Sequence, residues 1–467
     1  MKPERLLFLL IFIILLVTAT TKLIGQENED EPLPPLSLFR AEEDFSGLKN
    51  KELNGLLEHL KYIPLGPSRK SFLSLGGEAR MQYEYFHNNE FGEVIADHSG
   101  WLLQRYMLSA NLQLNNLRVY TELRSAFQNF ARPEPRVIDE DELALHQMFV
   151  EYHLHLGNDR LVKARVGRQE MTFGARRLVS ARIGPNVRQT FNAGKLRYQT
   201  KAWSLDLFYG NVIRPEPGVF DNNRLSEERL YGAYAVAQPG WLPFGLDLYY
   251  IGFDSPFRAY DEGLADEERH SVGLRFWQKK GAFRFNNEFV YQFGNFGTGD
   301  IDAYTLSFDL SYQFEGRRES TLGLKTEIVS GDQTNGDGDL QTFNALYPRG
   351  AYFGLIALIG PANLIDIHPS YSMRLGEKVE LTVDWDFFWR AQTADGVYGP
   401  NASLFRSGLG SEQHYLGHQP GFEVVYDHSR YLSFSAEGSW FITSDFFEET
   451  GEGENVTHLL IAATFRF

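Results

Sequence analysis

The chain has 467 residues, with 61 acidic against 45 basic side chains, a net charge of −16 and no cysteine. The lack of cysteine excludes disulfide bridges, thiolate catalysis and cysteine-based zinc sites. Aromatic residues make up 14% of the chain, and beyond residue 26 no apolar run reaches the roughly 18 residues of a membrane-spanning helix. We expect no nucleic acid among its partners.

Residues 1–26 have the pattern of an export signal peptide. Lys2 and Arg5 precede an apolar run, Leu6–Val17, whose length suits the hydrophobic region of such a signal and is short for a spanning helix. We predict cleavage at the end of this segment. An uncleaved membrane anchor is the alternative.

Residues 27–70 differ in composition from the rest of the chain. They begin acidic and proline-rich, which disfavours ordered structure, and continue into a weak helical pattern near Leu53–Leu60. We predict a periplasmic lead-in or a short plug here, followed by one large repetitive unit over residues 71–467.

From Phe72 onward, apolar and polar residues alternate over stretches of about 10–14 residues, whereas strands of soluble proteins usually have about 5 or 6. In residues 304–314, for example, Tyr304, Phe308 and Tyr312 share one face, and Ser307 lies on the other. A period of two over such a length predicts strands with one apolar and one polar face.

Tight turns, such as the one at Asn115, alternate with long polar stretches, and we predict long loops at 131–142, 215–228 and 254–268. Lipid cannot satisfy an open sheet edge, so strands that cross a bilayer must close into a barrel. We predict an all-β transmembrane antiparallel barrel of about 18 strands, closed by a last strand that ends in Phe467. It should lie in the lipid bilayer of a Gram-negative outer membrane, after insertion by the barrel-assembly machinery.

A basic block inside this acidic chain is the best candidate for function. Between Arg160 and Arg197 there are eight arginines, two lysines and a single acid, Glu170. An arginine that faces lipid near the midplane costs about 2–4 kcal/mol, so these side chains should face an aqueous lumen or lie in loops. Arginine binds carboxylates through a planar fork, and rings of arginine make pores anion-selective.

Strand parity selects the arginines that face the lumen and the acids beside them. Arg165 falls on the opposite parity unless a bulge at Gly167 reverses it, and a loop position at the pore mouth is predicted for Arg176, Arg177 and Arg182. The alternative is internal Arg–Glu pairing that only stiffens the wall. The predicted pathway residues are Arg80, Arg105, Arg124, Arg168, Arg188, Glu78, Glu122 and Glu170.

Two other groups of residues suggest chemistry. The acidic, glycine-rich stretch 331–339 alternates oxygen donors in partial likeness to a calcium loop, with Asp332, Asp337 and Asp339 as the predicted ligands and a solvated turn as the alternative. His146 and His153 lie on one predicted strand and are interpreted as polar lining. No nucleophile motif supports catalysis, and we expect no cofactor besides this calcium ion.

The segment RVGRQEMTFGARRL followed by NVRQTFN resembles a pattern of the alginate export family of outer-membrane proteins. LSLGGEARMQYE and SGDQTNGDGDLQTFNALYPRGAYFG are similar to other blocks of that family. The resemblance implies an 18-stranded barrel with an electropositive, arginine-lined constriction for an acidic polysaccharide. Phe191-Asn192 stands where the family has Phe-Asp.

We therefore predict a porin-like channel that is not an enzyme. It should pass an anionic polysaccharide, of alginate type for example, or a small anionic solute through an arginine-lined lumen. The alternatives are an enzyme on a barrel scaffold and a sealed structural or surface-binding barrel.

Overall fold

A computed structural model describes residues 34–53, 55–67, 70–93, 99–130, 136–222, 225–316, 318–354 and 356–467. The predicted signal peptide, residues 1–26, lies outside these ranges. The division between a lead-in and a barrel at residue 70 stays a prediction about domains, although the first long strand begins at Phe72.

Eighteen long strands of the described residues form one closed antiparallel barrel, as predicted. Each strand pairs with the next along the chain, and the first and last pair with each other from Glu78↔Arg466 to His87↔Thr457. The strands are β1 Phe72–His87, β2 Ser99–Leu114, β3 Leu117–Asn129, β4 Asp141–Gly157, β5 Arg160–Gln169, β6 Phe191–Gln199, β7 Trp203–Ile213, β8 Leu225–Ala237, β9 Gly245–Tyr260, β10 Gly263–Gln278, β11 Phe283–Phe296, β12 Gly299–Phe314, β13 Ser320–Val329, β14 Leu364–Arg374, β15 Val379–Trp389, β16 Tyr415–Asp427, β17 Leu432–Thr443 and β18 Val456–Arg466.

The two faces of the barrel wall differ as the alternation predicts. In β12, the outward Tyr304, Phe308 and Tyr312 are 42–46% exposed, whereas the inward Thr305 and Ser307 are 2% exposed. The apolar side chains therefore face outward, and the polar side chains face inward. No helix in the described part of the chain is long and apolar enough to cross a membrane.

The barrel has a turn end and a loop end. At the turn end, short connections join the strands. Asn158 and Asp159, for example, form a two-residue hairpin in which both residues have a positive φ, a conformation that Asn and Asp tolerate well. At the loop end lie the long connections 170–190, 330–363 and 390–414.

The prediction of a loop at 254–268 is wrong. Strands β9 and β10 continue through it, pairing from Asp254↔Glu268 to Tyr260↔Gly263 with a bulge after Ser255. Each strand has 16 residues, and about 9–11 tilted residues suffice to cross a bilayer. The strand ends therefore extend beyond the apolar layer, where polar side chains are solvated and a sheet has a loop-like composition.

The connection 330–363, called the lumen loop here, folds into the barrel. Its Phe343 and Phe353 are only 2% and 3% exposed and belong to the main hydrophobic cluster. The Tyr347 hydroxyl donates to Glu228 Oε2 at 2.9 Å, and the Tyr352 hydroxyl donates to Glu327 Oε1 at 3.0 Å. The lumen is therefore partly filled from the loop end.

Residues 34–67, called the N-terminal segment, pack inside the turn end. Their described part contains one short α-helix, α1, Leu56–Lys61, and two 3-10 turns, Arg40–Glu42 and Ser46–Leu48. Phe45 and Tyr62 of the segment cluster with Phe72 at the start of β1, and the Lys61 ammonium lies 5.9 Å from the ring centroid of Phe467. The first and last residues of the barrel thus meet this segment.

A charged side chain on the outward face should destabilise the barrel, and a single variant can measure this loss of stability. Val166 of β5 is 69% exposed and points outward, next to the inward Arg165, which is 3% exposed. We expect Val166→Arg to lower the free energy of unfolding by about 2 kcal/mol, because the new guanidinium would face lipid. Urea unfolding in phospholipid vesicles measures this, with Val166→Leu as the control. Equal stability of the two variants would contradict an outward, lipid-facing Val166.

Candidate permeation pathway

The inner wall of β1, β2 and β3 carries most of the predicted pathway residues. Glu78 and Arg80 lie on β1, and Arg80 stands directly opposite Arg105 of β2. Glu122 and Arg124 lie on β3, two residues apart and therefore on one face. All five side chains face inward and are at most 7% exposed.

Glu78 is the centre of the first charge cluster. Its Oε1 accepts from Arg105 Nε at 2.8 Å, and its Oε2 accepts from Arg40 of the N-terminal segment at 2.9 Å and from Arg466 of β18 at 3.2 Å. One carboxylate thus holds three guanidinium groups from three parts of the chain, so the cluster keeps an excess of positive charge.

The same arginines hold the connection 170–190 inside the lumen. Arg80 Nη1 donates to the carbonyl of Gly184 at 2.6 Å, and Arg105 Nη1 donates to the carbonyls of Pro185 at 2.8 Å and Ile183 at 3.1 Å. Guanidinium groups have five donors in a fixed fork, so one side chain binds an acid and a carbonyl together. These arginines are therefore anchors of the loop as well as charges.

Glu170 is the centre of a second cluster. Arg188 donates to Glu170 through Nη2 at 2.9 Å, and His146 Nε2 lies 2.8 Å from Glu170 Oε1. Arg124 donates to His146 Nδ1 through Nη1 at 2.8 Å and to Asp141 through Nη2. Because arginine only donates, Nδ1 must accept, so His146 is neutral and donates to Glu170 through Nε2.

The prediction for Arg165 is reversed, whereas a pathway role for Arg168 stays a prediction. Arg165 is buried and inward, and its Nε donates to Glu151 at 2.6 Å. Arg168 stands opposite Met148, which is 51% exposed, but its side chain lines a small cavity together with Arg124 and Arg188. It lies near the loop end of β5 and donates there to the carbonyl of Leu145 at 3.0 Å.

The three loop arginines lie in a loop, the connection 170–190, as predicted, but two of them bind structure inside the barrel and not at the predicted pore mouth. Arg177 Nη1 donates to Glu288 at 2.7 Å, and Arg182 Nε donates to the carbonyl of Pro348 in the lumen loop at 3.0 Å. The main-chain carbonyl of Arg176 accepts from the amide of Arg349 at 3.0 Å. The two loops are therefore joined inside the lumen.

The structure does not bring the predicted calcium ligands together. Asp337 Oδ1 accepts from the amide of Asp339, and Asp339 Oδ1 accepts from the amide of Asp300, so both carboxylates cap main-chain groups. Asp332 is 1% exposed. Within the described ranges, the His and acid side chains that converge with metal-ligand spacing lie elsewhere, and calcium binding at 331–339 stays a prediction.

Sequence reasoning missed several inward charges. Arg40 comes from a segment without alternation, so no periodicity links it to Glu78. Asp366 and His368, two residues apart on β14, and Asp386 on β15 form a buried group. The i, i+2 spacing on polar strand faces was the signal that would have located this group.

The sequence model of the family described as alginate export matches residues 71–458. The chain belongs to the alginate export family. Comparison with curated proteins finds no match.

Solved structures share the barrel of this alginate export family member. Pseudomonas aeruginosa OccK2 (OpdF) has a TM-score of 0.55 at 12% identity, covering 85% of this chain and 97% of that one. OpdO from P. aeruginosa has a TM-score of 0.56 at 11% identity, covering 88% and 99%. A BenF-like porin from Pseudomonas fluorescens Pf-5 has a TM-score of 0.56 at 12% identity, covering 85% and 99%.

At this identity the likeness to the solved structures concerns the fold. Family and fold together make this alginate export family member a porin-like channel of the Gram-negative outer membrane. Its family and its structural neighbours are channels and not enzymes.

The cluster at Glu78 yields a stability prediction. We expect Glu78→Ala to lower the free energy of unfolding by about 3 kcal/mol, because it leaves three guanidinium groups without their shared carboxylate. Glu380→Ala is the control, since its contact with Arg374 is 4.0 Å long and more than half exposed, and exposed pairs contribute little. Urea unfolding in vesicles compares them, and similar losses would contradict a central role for Glu78.

Asp332 yields a pH prediction. Burial, with Asp395 next in effect, raises the pKa of Asp332 to about 7. The unfolded chain, with an Asp pKa near 3.9, therefore loses this proton at lower pH than the folded protein does. Stability should thus fall as pH rises from about 4 to 7 and stay level above.

We expect Asp332→Asn to reduce that fall, as measured by Tm in detergent micelles at pH 4.5 and pH 8. Asp159→Asn, at an exposed turn position, serves as the control and should keep the wild-type difference in Tm. An unchanged difference in Asp332→Asn would rule out Asp332 as its source.

Proposed function

We propose that this channel passes an anionic, uronate-type polysaccharide, or a small solute with the same carboxylate chemistry, and that lumenal arginines recognise it. The observation that carries the proposal is a set of inward arginines, Arg80, Arg182 and Arg349, that have no carboxylate within 4.0 Å among the described residues. In each of them one guanidinium nitrogen is buried without a hydrogen-bond partner.

These three arginines come from the wall and from both loops that fill the lumen. Arg80 and Arg182 donate to main-chain carbonyls, and Arg349 lies 5.7 Å from the ring centroid of Tyr352. A guanidinium remains charged at any physiological pH. A carboxylate that enters the lumen would therefore meet fixed positive charges that the protein itself compensates only in part.

The other predicted residues act in this proposal as the fixed wall of the pathway. Arg105, Arg124 and Arg188 pair with acids, and those pairs keep the field from trapping a polyanion, because conduction needs weak binding at several sites. Glu78, Glu122 and Glu170 are the moderating acids. Arg168, which lines a small cavity with Arg124 and Arg188, belongs to the same wall.

Two comparisons support a uronate. The family is described as alginate export, and alginate is a polymer in which each sugar carries a carboxylate. OccK2, which has the same fold, was crystallised in complex with glucuronate, with a TM-score of 0.53 at 13% identity. A barrel of this architecture has thus been crystallised with a monomeric uronate.

A sealed structural or surface-binding barrel is the second candidate. The inward-folded lumen loop favours it, since Phe343 and Phe353 pack in the main hydrophobic cluster.

Single-channel recording in planar bilayers tests the proposal. Under a KCl gradient, we expect a reversal potential that shows anion preference, and block by oligouronates at lower concentration than by neutral oligosaccharides. In the triple variant Arg80→Ala, Arg182→Ala and Arg349→Ala, the blocking concentration should rise by at least about tenfold, since one charged hydrogen bond contributes about 1.5–3 kcal/mol.

Arg374→Ala is the matched control. This arginine ends β14 at the turn end, and its side chain is 57% exposed, so selectivity should be unchanged. A cation-selective wild-type pore, or selectivity that survives the triple variant, contradicts the arginine proposal. A barrel that inserts without conducting supports the sealed alternative.

A further inference from the structure

A third polar cluster lies on the inner wall of β14 and β15, away from the arginines of β1–β5. It consists of Asp366, His368 and Asp386, which are 1%, 4% and 0% exposed. One ligand atom from each of these residues lies within 4.8 Å of the others. Neither the family nor the proposed anion pathway uses this group.

The histidine of this cluster is oriented by a fourth residue. His368 Nε2 lies 3.2 Å from Asp384 Oδ2, and His368 Nδ1 lies 2.5 Å from Asp386 Oδ1. With the proton on Nε2, donated to Asp384, the lone pair of Nδ1 faces the carboxylate of Asp386. Metal-binding histidines have this arrangement, in which the second nitrogen donates to a carboxylate.

Two carboxylate oxygens of the cluster are buried and unsatisfied. Asp366 Oδ1 and Asp386 Oδ2 have no hydrogen-bond partner among the described residues, and Asp386 Oδ1 is in contact with His368 Nδ1. Buried ionised carboxylates are strongly unfavourable unless a cation or donors compensate them. One divalent cation at the centre would satisfy all three side chains and neutralise two carboxylate charges.

We propose that Asp366, His368 and Asp386 form a binding site for a divalent transition metal of the Zn²⁺ class. A mixed set of one imidazole and two carboxylates suits such a metal, whereas Ca²⁺ and Mg²⁺ prefer oxygen ligands alone. Asp384 is a positioning residue that holds the imidazole ring.

The surroundings allow a metal to be bound and shielded. Asp366 and His368 line a cavity of about 40 Å³, which has room for a water molecule as the fourth ligand. The lumen loop covers the other side, because a Cβ at Gly354 would lie 2.8 Å from Asp386 Oδ2. The site is thus closed to bulk solvent by the loop and open to one small cavity.

Positive charge near the site limits its affinity. Lys325 of β13 stands directly opposite His368, so it shares the inner face, and Arg349 lines the same cavity. Both repel a divalent ion. We therefore expect Lys325→Met to bind Zn²⁺ more tightly than the wild type, by several-fold.

The test is calorimetric titration of ZnCl₂ into the tag-free, full-length barrel in detergent, after treatment with a chelator and its removal. We expect one Zn²⁺ per chain. His368→Asn and Asp386→Asn should each weaken binding by at least tenfold, and Asp384→Asn should weaken it to an intermediate extent. Co²⁺ should give visible absorption bands in the wild type that Asp366→Asn loses.

His458→Asn is the matched control, because His458 is also buried, at 2% exposure, but lies on β18 outside the cluster. It should bind Zn²⁺ like the wild type. Heat-modifiable migration on gels establishes that each variant is a folded barrel. Absence of Zn²⁺ binding in the wild type, or equal binding by folded His368→Asn and the wild type, overturns the proposal.

Discussion

The closure of β1 on β18 is the constraint on which the rest of this structure depends. In a bilayer no water is available to satisfy an open sheet edge, so the pairing from Glu78↔Arg466 to His87↔Thr457 completes the main-chain hydrogen bonding of the wall. Closure then divides the side chains into two sets. Those that face lipid must be apolar, and the charges of an acidic, arginine-containing chain must share one enclosed space.

Inside the closed barrel, Arg105 and Arg124 each have two roles. Arg105 balances Glu78 and also binds the carbonyl of Pro185, and Arg124 pairs with Asp141 and also binds the carbonyl of Arg188. The wall thereby holds the connection 170–190, and Arg182 joins that connection to the lumen loop. The inner charges, the loops and the N-terminal segment form one connected structure inside the barrel.

The sequence allowed the barrel to be predicted because its signal is local. Each strand carries its own alternation, and the apolar face of β12 is visible in its residues alone. The inward orientation of Arg80, Arg105 and Arg124 followed from the same parity. A shift of one residue reverses every side chain of a strand, however, and the parity of β5 had no such anchor.

Gly167 shows why the parity of β5 was hard to assign. It has a φ of +135°, and a Cβ there would lie 2.3 Å from the carbonyl oxygen of Met148, so the position requires glycine. A glycine gives no apolar or polar signal, and the alternation cannot be followed through it. The contacts of Arg40 with Glu78 and of Glu42 with Arg165 join distant parts of the chain, and no periodicity encodes them.

The anchoring of the connection 170–190 through main-chain carbonyls bears on how this protein can evolve. Ile183, Gly184 and Pro185 accept hydrogen bonds from Arg80 and Arg105 through their carbonyl oxygens, which every amino acid possesses. The identities of these three residues can therefore drift while the loop stays in place. The attachment depends on the arginine side chains of the wall, so sequence changes in this loop can alter the surface that it presents to the lumen without rebuilding its attachment.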